Sequence, residues 1–574
     1  MNQGMTFWGW IAVIIGWGTI LGFSLYCMTR VVFGKKKVHA AVVGPGVQRE
    51  RWATRIGLVL AMAGNAIGLG NFLRFPVKAA QNGGGAFLIP YFCALIFMGV
   101  PLMWVEWAIG RHGGAHGHGS TPGMFHVMWK HPAAKYIGAF GIFIPFAIAI
   151  YYLFIMSWTL GYAFFSATGK YFGITSSKSM TAFLKGFQGV ESNQYFSNIL
   201  PVLIFLAICL ALNYMFLSRG IAKGIEILAR YGMPLLFIFG IALVIRVLTL
   251  GTPDPSHPDW NVANGMGFIW NPDLSQLTRA NVWLVAAGQI FFTLSLGQGM
   301  IHTYASYVRE QDDITLNGLA TSSVNEFAEV ILGGTIAIPV AVAFFGLTQT
   351  QEIANGGAFN LGFVSLPLIF QKIPLGQLFG FMWFGLLFIA GITTSVAFLQ
   401  PLVAFMMDEF KMERKTAVNT LFGWIMAAIL FVVFFFKYGV LDELDFWAGT
   451  LGIVLFGVLE IIVFSWIFGV KKGWAELHKG ADIKVPRFFK FVFKYITPAY
   501  ILVILVVWTI QDAVGTFLMK KGKVVSFATD ELEIASRPYR WAIRVLFLLI
   551  IIAVVTMVRK VWKKREAEKE AVKP

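Results

Sequence analysis

The chain has 574 residues, of which 57% are hydrophobic and only 13% are charged. Its mean hydropathy of +0.70 is too high for a soluble protein of this length and indicates a helical protein that crosses a membrane many times. The net charge of +17 could suit nucleic-acid binding, but the basic residues cluster in short segments between apolar stretches. We therefore expect membrane anchoring by these clusters and no nucleic-acid partner.

Thirteen apolar stretches are long enough to cross a bilayer. We name the first of them the first span and number the others core helices 1–12. Basic clusters at Lys35–Lys37, 49–55 and 560–565 predict a multi-pass protein of the inner (plasma) membrane, with its N-terminus outside and its C-terminus in the cytoplasm. The cluster Lys520–Lys523 disagrees with this orientation. The predicted spans are 7–33, 54–80, 84–110, 136–167, 197–217, 232–250, 281–308, 316–346, 376–407, 416–437, 446–469, 489–518 and 538–560.

The first span contains Gly18 and Gly22, a small-xxx-small pattern that lets two helices pack closely in lipid. This pattern is compatible with docking against the rest of the protein or with a homo-oligomer interface. A simple membrane anchor explains it equally well, and the sequence leaves these alternatives open.

Two of the apolar stretches are interrupted. The segment Ala63–Asn71 carries three glycines and two asparagines, and the segment Ser295–Gly299 carries two more glycines. Glycine and asparagine disfavour helix interiors, and unpaired backbone at membrane depth is tolerated only where it is buried in protein or lines a cavity. Two broken spans in corresponding positions of two halves predict a transporter binding site between them.

The segment 111–131 is rich in glycine and histidine. A metal site is one interpretation, but no cysteine or carboxylate in the segment completes a ligand set, so we expect a loop with solvated histidines. Long connections at 169–196, 251–280 and 347–375 are expected to be extracellular lids. The histidines are His112, His116, His118, His126 and His131.

The segment 49–76 closely resembles the signature of the neurotransmitter:sodium symporter family, and 289–297 and 445–450 extend the match. The resemblance covers about residues 49–560 and implies the fold of the bacterial leucine transporter (LeuT fold). This is an all-α polytopic fold with a 5+5 inverted repeat, in which core helices 1 and 6 are broken. We accordingly expect the first span and a linker at 1–48, the two repeats at 49–250 and 251–470, and core helices 11–12 with a basic tail at 471–574.

The resemblance implies a neutral L-amino acid as substrate, bound at the two breaks. Half-helix N-termini suit its carboxylate, and half-helix C-terminal carbonyls suit its ammonium group. The implied substrate-binding residues are Asn65, Ala66, Gly68, Leu69, Gly70, Ile148, Tyr152, Phe292, Thr293, Ser295, Gln298, Thr394 and Phe398.

Two sodium sites are implied in the same way, both built from neutral oxygen ligands. The first would use Ala66, Asn71, Thr293 and Asn325 together with the substrate carboxylate. The second would use Gly64, Ile67, Ala390, Thr393 and Thr394.

Three further positions refine this picture. Relatives that carry monoamines have an aspartate at the position of Gly68, so glycine favours a substrate that brings its own carboxylate. Glu329 follows Asn325 by one helical turn and would supply the negative charge that other family members obtain from chloride, so we expect chloride not to be required. Glu106 resembles an acid that holds the unwound part of core helix 6.

Two gates are implied above and below the site. Arg74 and Asp445 would pair on the outside, over Tyr152 and Phe292. Arg49 and Asp408 would close the inside, supported by Trp52, Ser306, Tyr307 and Gln400.

The match departs from the bacterial leucine transporter at Gln298, Phe398 and Thr394, where that protein has an aromatic, a smaller aliphatic and a serine residue. Strict leucine selectivity is therefore not expected, and methionine, alanine and small or mid-sized polar amino acids are candidates. A sensor of the same fold that binds but barely transports is the alternative function. No nucleophile–base pair or phosphate-binding loop is recognisable at membrane depth, so we do not expect an enzyme.

Overall fold

The computed structural model describes residues 4–34, 50–519 and 530–571. Within these ranges, eleven helices are long and apolar enough to cross a membrane. Arg49 and the clusters Lys35–Lys37 and Lys520–Lys523 lie outside the described residues. The eleven helices are Phe7–Phe33, Gly85–Ala115, Pro132–Thr168, Leu200–Ser218, Ile221–Leu248, Ile314–Asn355, Gly376–Phe410, Arg414–Tyr438, Val440–His478, Phe489–Gln511 and Ile534–Ala567.

The two remaining predicted spans are the broken ones. Core helix 1 consists of Arg55–Ala66 and Gly70–Gln81, which meet at an angle of 48° and together form a twelfth candidate span. Core helix 6 consists of Ala280–Thr293 and the short helix Met300–Ala305, so it is not a single long helix. The thirteen predicted stretches thus correspond to eleven long helices and two interrupted ones.

Local backbone geometry explains where core helix 6 is interrupted. Gly297 and Gly299 have φ angles of +66° and +78°, which glycine adopts without steric cost. A Cβ at Gly297 would clash with the carbonyl oxygen of Ile453, and a Cβ at Gly299 would clash with that of Gly141. Glycine is therefore needed at both positions, for the φ angle and for the close approach of neighbouring backbone.

The core of the bundle lies around core helices 3 and 8, Pro132–Thr168 and Gly376–Phe410. Of the 18 consecutive residues that are most apolar in each helix, 94% are buried in core helix 3 and 78% in core helix 8, compared with 17% in core helix 12. The broken helices pack beside this central pair, so the interruptions are surrounded by protein, as their unpaired backbone requires.

The first span docks against the core, but not through its glycine pair. Ser24 Oγ donates a 2.8 Å hydrogen bond to the carbonyl oxygen of Ser323 in core helix 7, and Trp17 packs edge-on against Trp270. A Cβ at Gly18 or at Gly22 would meet no atom within 4 Å. The docking face is therefore a different face of the helix from the one that carries the small-xxx-small pattern.

The connections contain short helices, namely Ser177–Phe187, Val262–Trp270, Ala358–Phe370 and, in the histidine-rich segment, Thr121–Met128. The expectation that the histidines are solvated was only partly correct. His118 Nδ1 lies 3.0 Å from Glu409 and His112 Nδ1 lies 3.7 Å from Glu476. These carboxylates come from other parts of the chain, which is why the local sequence did not reveal them.

Candidate functional site

The breaks in core helices 1 and 6 contact each other directly. Ser295 Oγ donates a 2.9 Å hydrogen bond to the carbonyl oxygen of Asn65. The break in core helix 1 is also held from core helix 3, because the Leu69 N–H points to the Tyr152 hydroxyl at 3.4 Å. The unwound backbone of the two helices therefore meets at one point, between core helices 3 and 8.

A small cavity of about 20 Å³ lies at this meeting point, which is space for little more than one water molecule. Most of the residues that sequence analysis assigned to substrate surround it. Asn65 and Thr293 do not line the cavity, whereas Gly449 was not expected there and does; it lies in the 445–450 segment that carried part of the resemblance. The lining residues are Ala66, Gly68, Leu69, Gly70, Asn71, Ile148, Tyr152, Phe292, Ser295, Gln298, Thr394, Phe398 and Gly449.

The predicted outer ion pair is not present. In the described part of the chain, the Arg74 guanidinium lies 4.4 Å from the centre of the Phe292 ring, and Asp445 accepts a 2.7 Å hydrogen bond from the Tyr151 hydroxyl. Each group thus has another partner, a ring face for the cation and a phenol for the carboxylate. Among the described residues, Arg74 and Asp445 form no ion pair within 4.0 Å in this conformation, and their pairing as an outer gate stays a prediction.

One side of the cavity adjoins a group of polar side chains that we name the Asn71 cluster: Asn71, Thr293, Asn325 and Glu329. Asn71 Nδ2 donates to Thr293 Oγ1 at 3.0 Å and to Asn325 Oδ1 at 2.9 Å, and Asn71 Oδ1 accepts the Gly68 N–H at 2.9 Å. Glu329 accepts hydrogen bonds from Thr293 and, at 2.9 Å, from Gln289. All four side chains are buried, so the cluster places hard oxygen atoms and one acid beside the cavity.

A second group, the Thr394 cluster, comprises Gly64, Ile67, Ala390, Thr393 and Thr394. Thr394 Oγ1 donates to the Gly64 carbonyl oxygen at 3.1 Å, and the Ile67 carbonyl oxygen lies at 3.5 Å from it. Thr393 Oγ1 donates to the Ala390 carbonyl oxygen at 3.1 Å. The cluster joins core helix 1 to core helix 8 through carbonyl and hydroxyl oxygens and contains no ionisable side chain.

At the other end of the bundle, several predicted gate residues form one network. Trp52 Nε1 donates to the Tyr304 carbonyl oxygen at 3.0 Å, and Gln400 Nε2 donates to the Tyr307 hydroxyl at 2.8 Å. Ser306 Oγ donates a hydrogen bond to the Thr303 carbonyl oxygen, three residues earlier in the chain. Asp408 lies near the end of core helix 8, whereas its predicted partner Arg49 lies outside the described residues.

Sequence reasoning missed the ion pair at this end. Both carboxylate oxygens of Glu50 contact the Arg414 guanidinium, at 2.8 and 2.9 Å, and Arg414 also donates to the side-chain oxygen of Gln400 at 3.2 Å. This bidentate pair ties the segment before core helix 1 to the start of core helix 9. Glu50 stands within the signature segment, but nothing in the local sequence identifies Arg414 as its partner.

The proposed restraint on core helix 6 is present. Glu106 Oε1 accepts a 2.7 Å hydrogen bond from the Gly297 N–H in the unwound segment. The interruption leaves this N–H without a helical partner, and the buried carboxylate of core helix 2 satisfies it. The position of the break is therefore fixed by a side chain from a neighbouring helix.

Comparisons with known proteins agree with this architecture. The model of the Sodium:neurotransmitter symporter family matches residues 49–182 and 170–562. An uncharacterized sodium-dependent transporter of Methanocaldococcus jannaschii is 30% identical over 79% of this chain and 89% of its own length. The transporter YhdH of Bacillus subtilis is 30% identical over 70% of this chain and 81% of its own length.

The crystal structure of MhsT in complex with L-phenylalanine superposes with a TM-score of 0.68, at 30% identity, and covers 80% of this chain and 99% of MhsT. The predicted LeuT fold is thereby confirmed. The relatives are sodium-dependent transporters and not enzymes, and this chain is accordingly a multi-pass membrane protein of sodium-coupled transport. The chain belongs to the sodium:neurotransmitter symporter family.

Proposed function

We propose that this protein takes up a neutral L-amino acid together with sodium by alternating access, with the substrate bound between the two helix breaks, where the small cavity must widen to admit it. The observation that carries the proposal is the position of that cavity: it lies between unwound backbone on one side and the Asn71 cluster on the other. A zwitterion needs partners of both signs at membrane depth. The backbone N–H groups and carbonyl groups at the breaks offer positive and negative dipole ends, and no charged side chain is among the residues that line the cavity.

The substrate carboxylate would bind where core helix 1 resumes. The Leu69 and Gly70 N–H groups precede the half-helix Gly70–Gln81, whose N-terminus carries partial positive charge. Tyr152 already accepts from the Leu69 N–H and would be the additional hydroxyl donor. The ammonium group would meet the carbonyl ends of the preceding half-helices, near Ala66 and Phe292.

Gly68 supports an amino acid over an amine. A Cβ at this position would lie 3.2 Å from the Tyr152 hydroxyl and 3.3 Å from Thr394 Oγ1. An acidic side chain there would project into the space assigned to the substrate carboxylate, and its charge would repel it. The neighbour MhsT was crystallised with L-phenylalanine, and another relative is named a glycine transporter, so amino acids are the substrate class that both names share.

The side-chain end of the pocket combines apolar and polar residues. Ile148 and Phe398 are apolar, whereas Gln298 is buried and its side-chain oxygen has no hydrogen-bond partner in the described residues. A buried acceptor without a partner costs about 1–3 kcal/mol, so a water or a substrate donor is expected to satisfy it. A substrate donor would come from a small or mid-sized polar amino acid, whereas a bound water would leave alanine and methionine as candidates.

The Asn71 and Thr394 clusters are our candidates for two sodium sites, and Glu329 for the charge that makes chloride unnecessary. We place the protein in the inner membrane with its N-terminus outside. Sodium ions that enter down the electrical gradient would then drive import of the amino acid into the cytoplasm. Two sodium ions moving with a neutral zwitterion across 100 mV yield about 4.6 kcal/mol, enough for roughly a thousandfold accumulation.

Reconstituted protein tests this function. We expect proteoliposomes to accumulate one or a few radiolabelled neutral amino acids with an inward sodium gradient and not with potassium. Gly68→Asp should abolish uptake, whereas the matched control Gly18→Ala, whose Cβ meets open space, should not.

Two other results would change the conclusion. Sodium-dependent thermal stabilisation by an amino acid, with no uptake above that of empty liposomes, would favour the sensor. Stabilisation that is the same in sodium and potassium would contradict sodium coupling at this site.

A further inference from the structure

The first span is an addition to the part of the chain that the family model matches. That model begins at residue 49, whereas the first span is the helix Phe7–Phe33. Its buried residues recur every three, four or seven positions, so they lie on one face of the helix. The opposite face exposes large apolar side chains, among them Ile14, Ile15 and Leu25. The residues of the packed face are Gly9, Val13, Ile20, Ser24, Cys27 and Val31.

The first span is anchored at its outer end and near its middle. Asn271, which directly follows the helix Val262–Trp270, accepts hydrogen bonds from the Thr6 N–H and from the Thr6 hydroxyl, both at 3.0 Å. Ser24 Oγ donates to the carbonyl oxygen of Ser323 in core helix 7. Both anchors lie outside core helix 1, so the first span keeps its place when only part of core helix 1 moves.

At its inner end, the first span contacts the inner half of core helix 1, Arg55–Ala66. The contact includes Val59, which is fully buried in a small apolar cluster, and Ile56, which is half-buried against the same cluster. A Cβ at Gly34, just after the first span, would lie 3.5 Å from the Arg55 guanidinium, so the two helices approach each other up to the start of the half-helix. The other buried members of the cluster are Cys27 and Val31 of the first span and Leu316 and Ala320 of core helix 7. The first span and core helix 7 therefore cover one side of the half-helix together.

The covered side of the half-helix faces away from the interior of the bundle. Leu58 and Asn65 are seven residues apart and lie on one face, and the Asn65 carbonyl oxygen accepts the hydrogen bond from Ser295 at the cavity. Around the helix axis, Val59 lies about 100° and Ile56 about 160° from Leu58. A movement that uncovers the buried Leu58 therefore carries Ile56 and Val59 against the first span or past it.

The break in core helix 1 allows such a movement. Regular helix ends at Ala66 and resumes at Gly70, and the two halves meet at an angle of 48°. A few residues at the end of a helix can absorb the change in backbone angles that a hinge requires. The inner half can therefore tilt outward while the half-helix Gly70–Gln81 keeps its place beside the cavity.

We propose that the first span restrains the inner half of core helix 1: it stabilises the closed inner side of the site, and its contact at Val59 must break before that side opens. Apolar helices in lipid gain no hydrophobic free energy from touching each other, so this contact is stabilised by close packing alone and is weak enough to break in each cycle. The role of the movement in transport rests on the proposed function, whereas the restraint itself does not.

Cysteine labelling tests the restraint without any substrate. In full-length protein carrying Leu58→Cys, in nanodiscs and KCl, the rate of reaction with a membrane-impermeant maleimide reports how often the inner side opens. Val31→Ala removes two carbon atoms from the contact, so we expect labelling to become about 3- to 10-fold faster. Val32→Ala is the matched control, because Val32 is 48% exposed on another face and its loss should leave the rate unchanged. Protein without Leu58→Cys gives the background of the native cysteines, and equal rates in the two valine variants would overturn the proposal.

Cross-linking tests whether the contact breaks during transport. The native Cys27 can be joined to Val59→Cys in the half-helix, or to Ala320→Cys in core helix 7, by a short bifunctional reagent that forms reducible disulfides with both thiols. We expect the first cross-link to abolish amino-acid uptake by proteoliposomes while sodium-dependent binding remains, and reduction to restore uptake. The second should leave uptake as in the reduced protein. Cross-linked Val59→Cys that transports as well as its reduced form would overturn the proposal.

The two experiments separate this inference from the proposed function. If wild type takes up no amino acid, the proposed function fails, and the labelling rates of Val31→Ala and Val32→Ala alone decide about the restraint. The same rates decide if no cross-link forms. Sodium-driven uptake by wild type together with equal labelling rates would refute the restraint and leave the proposed function intact.

Discussion

The Asn71 cluster and the Thr394 cluster flank the break in core helix 1, yet they are built differently. The first consists of side chains that bond to one another and includes the buried acid Glu329. The second consists mainly of backbone carbonyls and two hydroxyls that join core helix 1 to core helix 8. If both clusters bind sodium, as we propose, one would hold the ion by net charge next to the cavity and the other by dipoles whose geometry depends on two helices.

If this distinction is correct, removing the acid has the largest effect. Glu329→Gln keeps the shape and one acceptor oxygen, but it replaces the other acceptor by an amide donor and removes the charge. We expect sodium affinity, measured by sodium titration of amino-acid binding, to fall by about 100-fold in gluconate medium. Chloride should restore part of it. Sodium affinity equal to that of wild type would show that charge does not distinguish the two clusters.

Asn71→Ala should have the next largest effect. Asn71 donates to both Thr293 and Asn325 and accepts the Gly68 N–H at the cavity wall. We expect the affinities for sodium and for the amino acid to weaken together, each by about 10- to 100-fold, because the ion and the carboxylate would touch. The exposed residue Asn198 provides the control, Asn198→Ala. Unchanged amino-acid affinity would contradict direct contact between the sodium ion and the substrate carboxylate.

Thr393→Val removes one hydroxyl of the Thr394 cluster at nearly constant volume. Since Thr393 does not line the cavity, we expect sodium affinity to fall by only about 3- to 10-fold and amino-acid affinity at saturating sodium to stay unchanged. The same titrations as for Asn71→Ala measure both quantities. A loss of amino-acid affinity as large as in Asn71→Ala would remove the functional difference between the clusters.

Gln298→Phe lies outside both clusters and should have the smallest effect on sodium. We expect sodium affinity to stay within about threefold of wild type, while competition between amino acids shifts toward aliphatic side chains, because the buried amide is lost. Competition of unlabelled amino acids against a bound radiolabelled one measures this shift. An unchanged competition profile would show that Gln298 does not contact the substrate side chain.

The sequence predicted the helix breaks because their causes are local. Glycines that require positive φ, such as Gly297 and Gly299, are visible in a single segment. The residues around the cavity were placed by resemblance to a family whose fold the comparisons confirm, and their roles in binding substrate remain proposals.

Features that depend on distant pairing could not be predicted. Glu50 and Arg414, or His118 and Glu409, are far apart in the chain, and a histidine within a glycine-rich segment does not indicate its partners. The contact that Arg74 makes in this conformation could not be predicted for a related reason. Its side chain has two possible partners of similar reach, an aromatic face and a carboxylate, and only tertiary packing selects between them.

Ser295 adopts a φ angle of +56°, which costs an L-residue about 1–2 kcal/mol, whereas glycine would adopt it freely. Its hydroxyl compensates by bonding to the Asn65 carbonyl oxygen. When the two interrupted helices separate, that compensation is lost and the serine can relax to an ordinary backbone geometry. We therefore expect the strained backbone of Ser295 to favour separation of the two helix breaks and its hydrogen bond to Asn65 to oppose it.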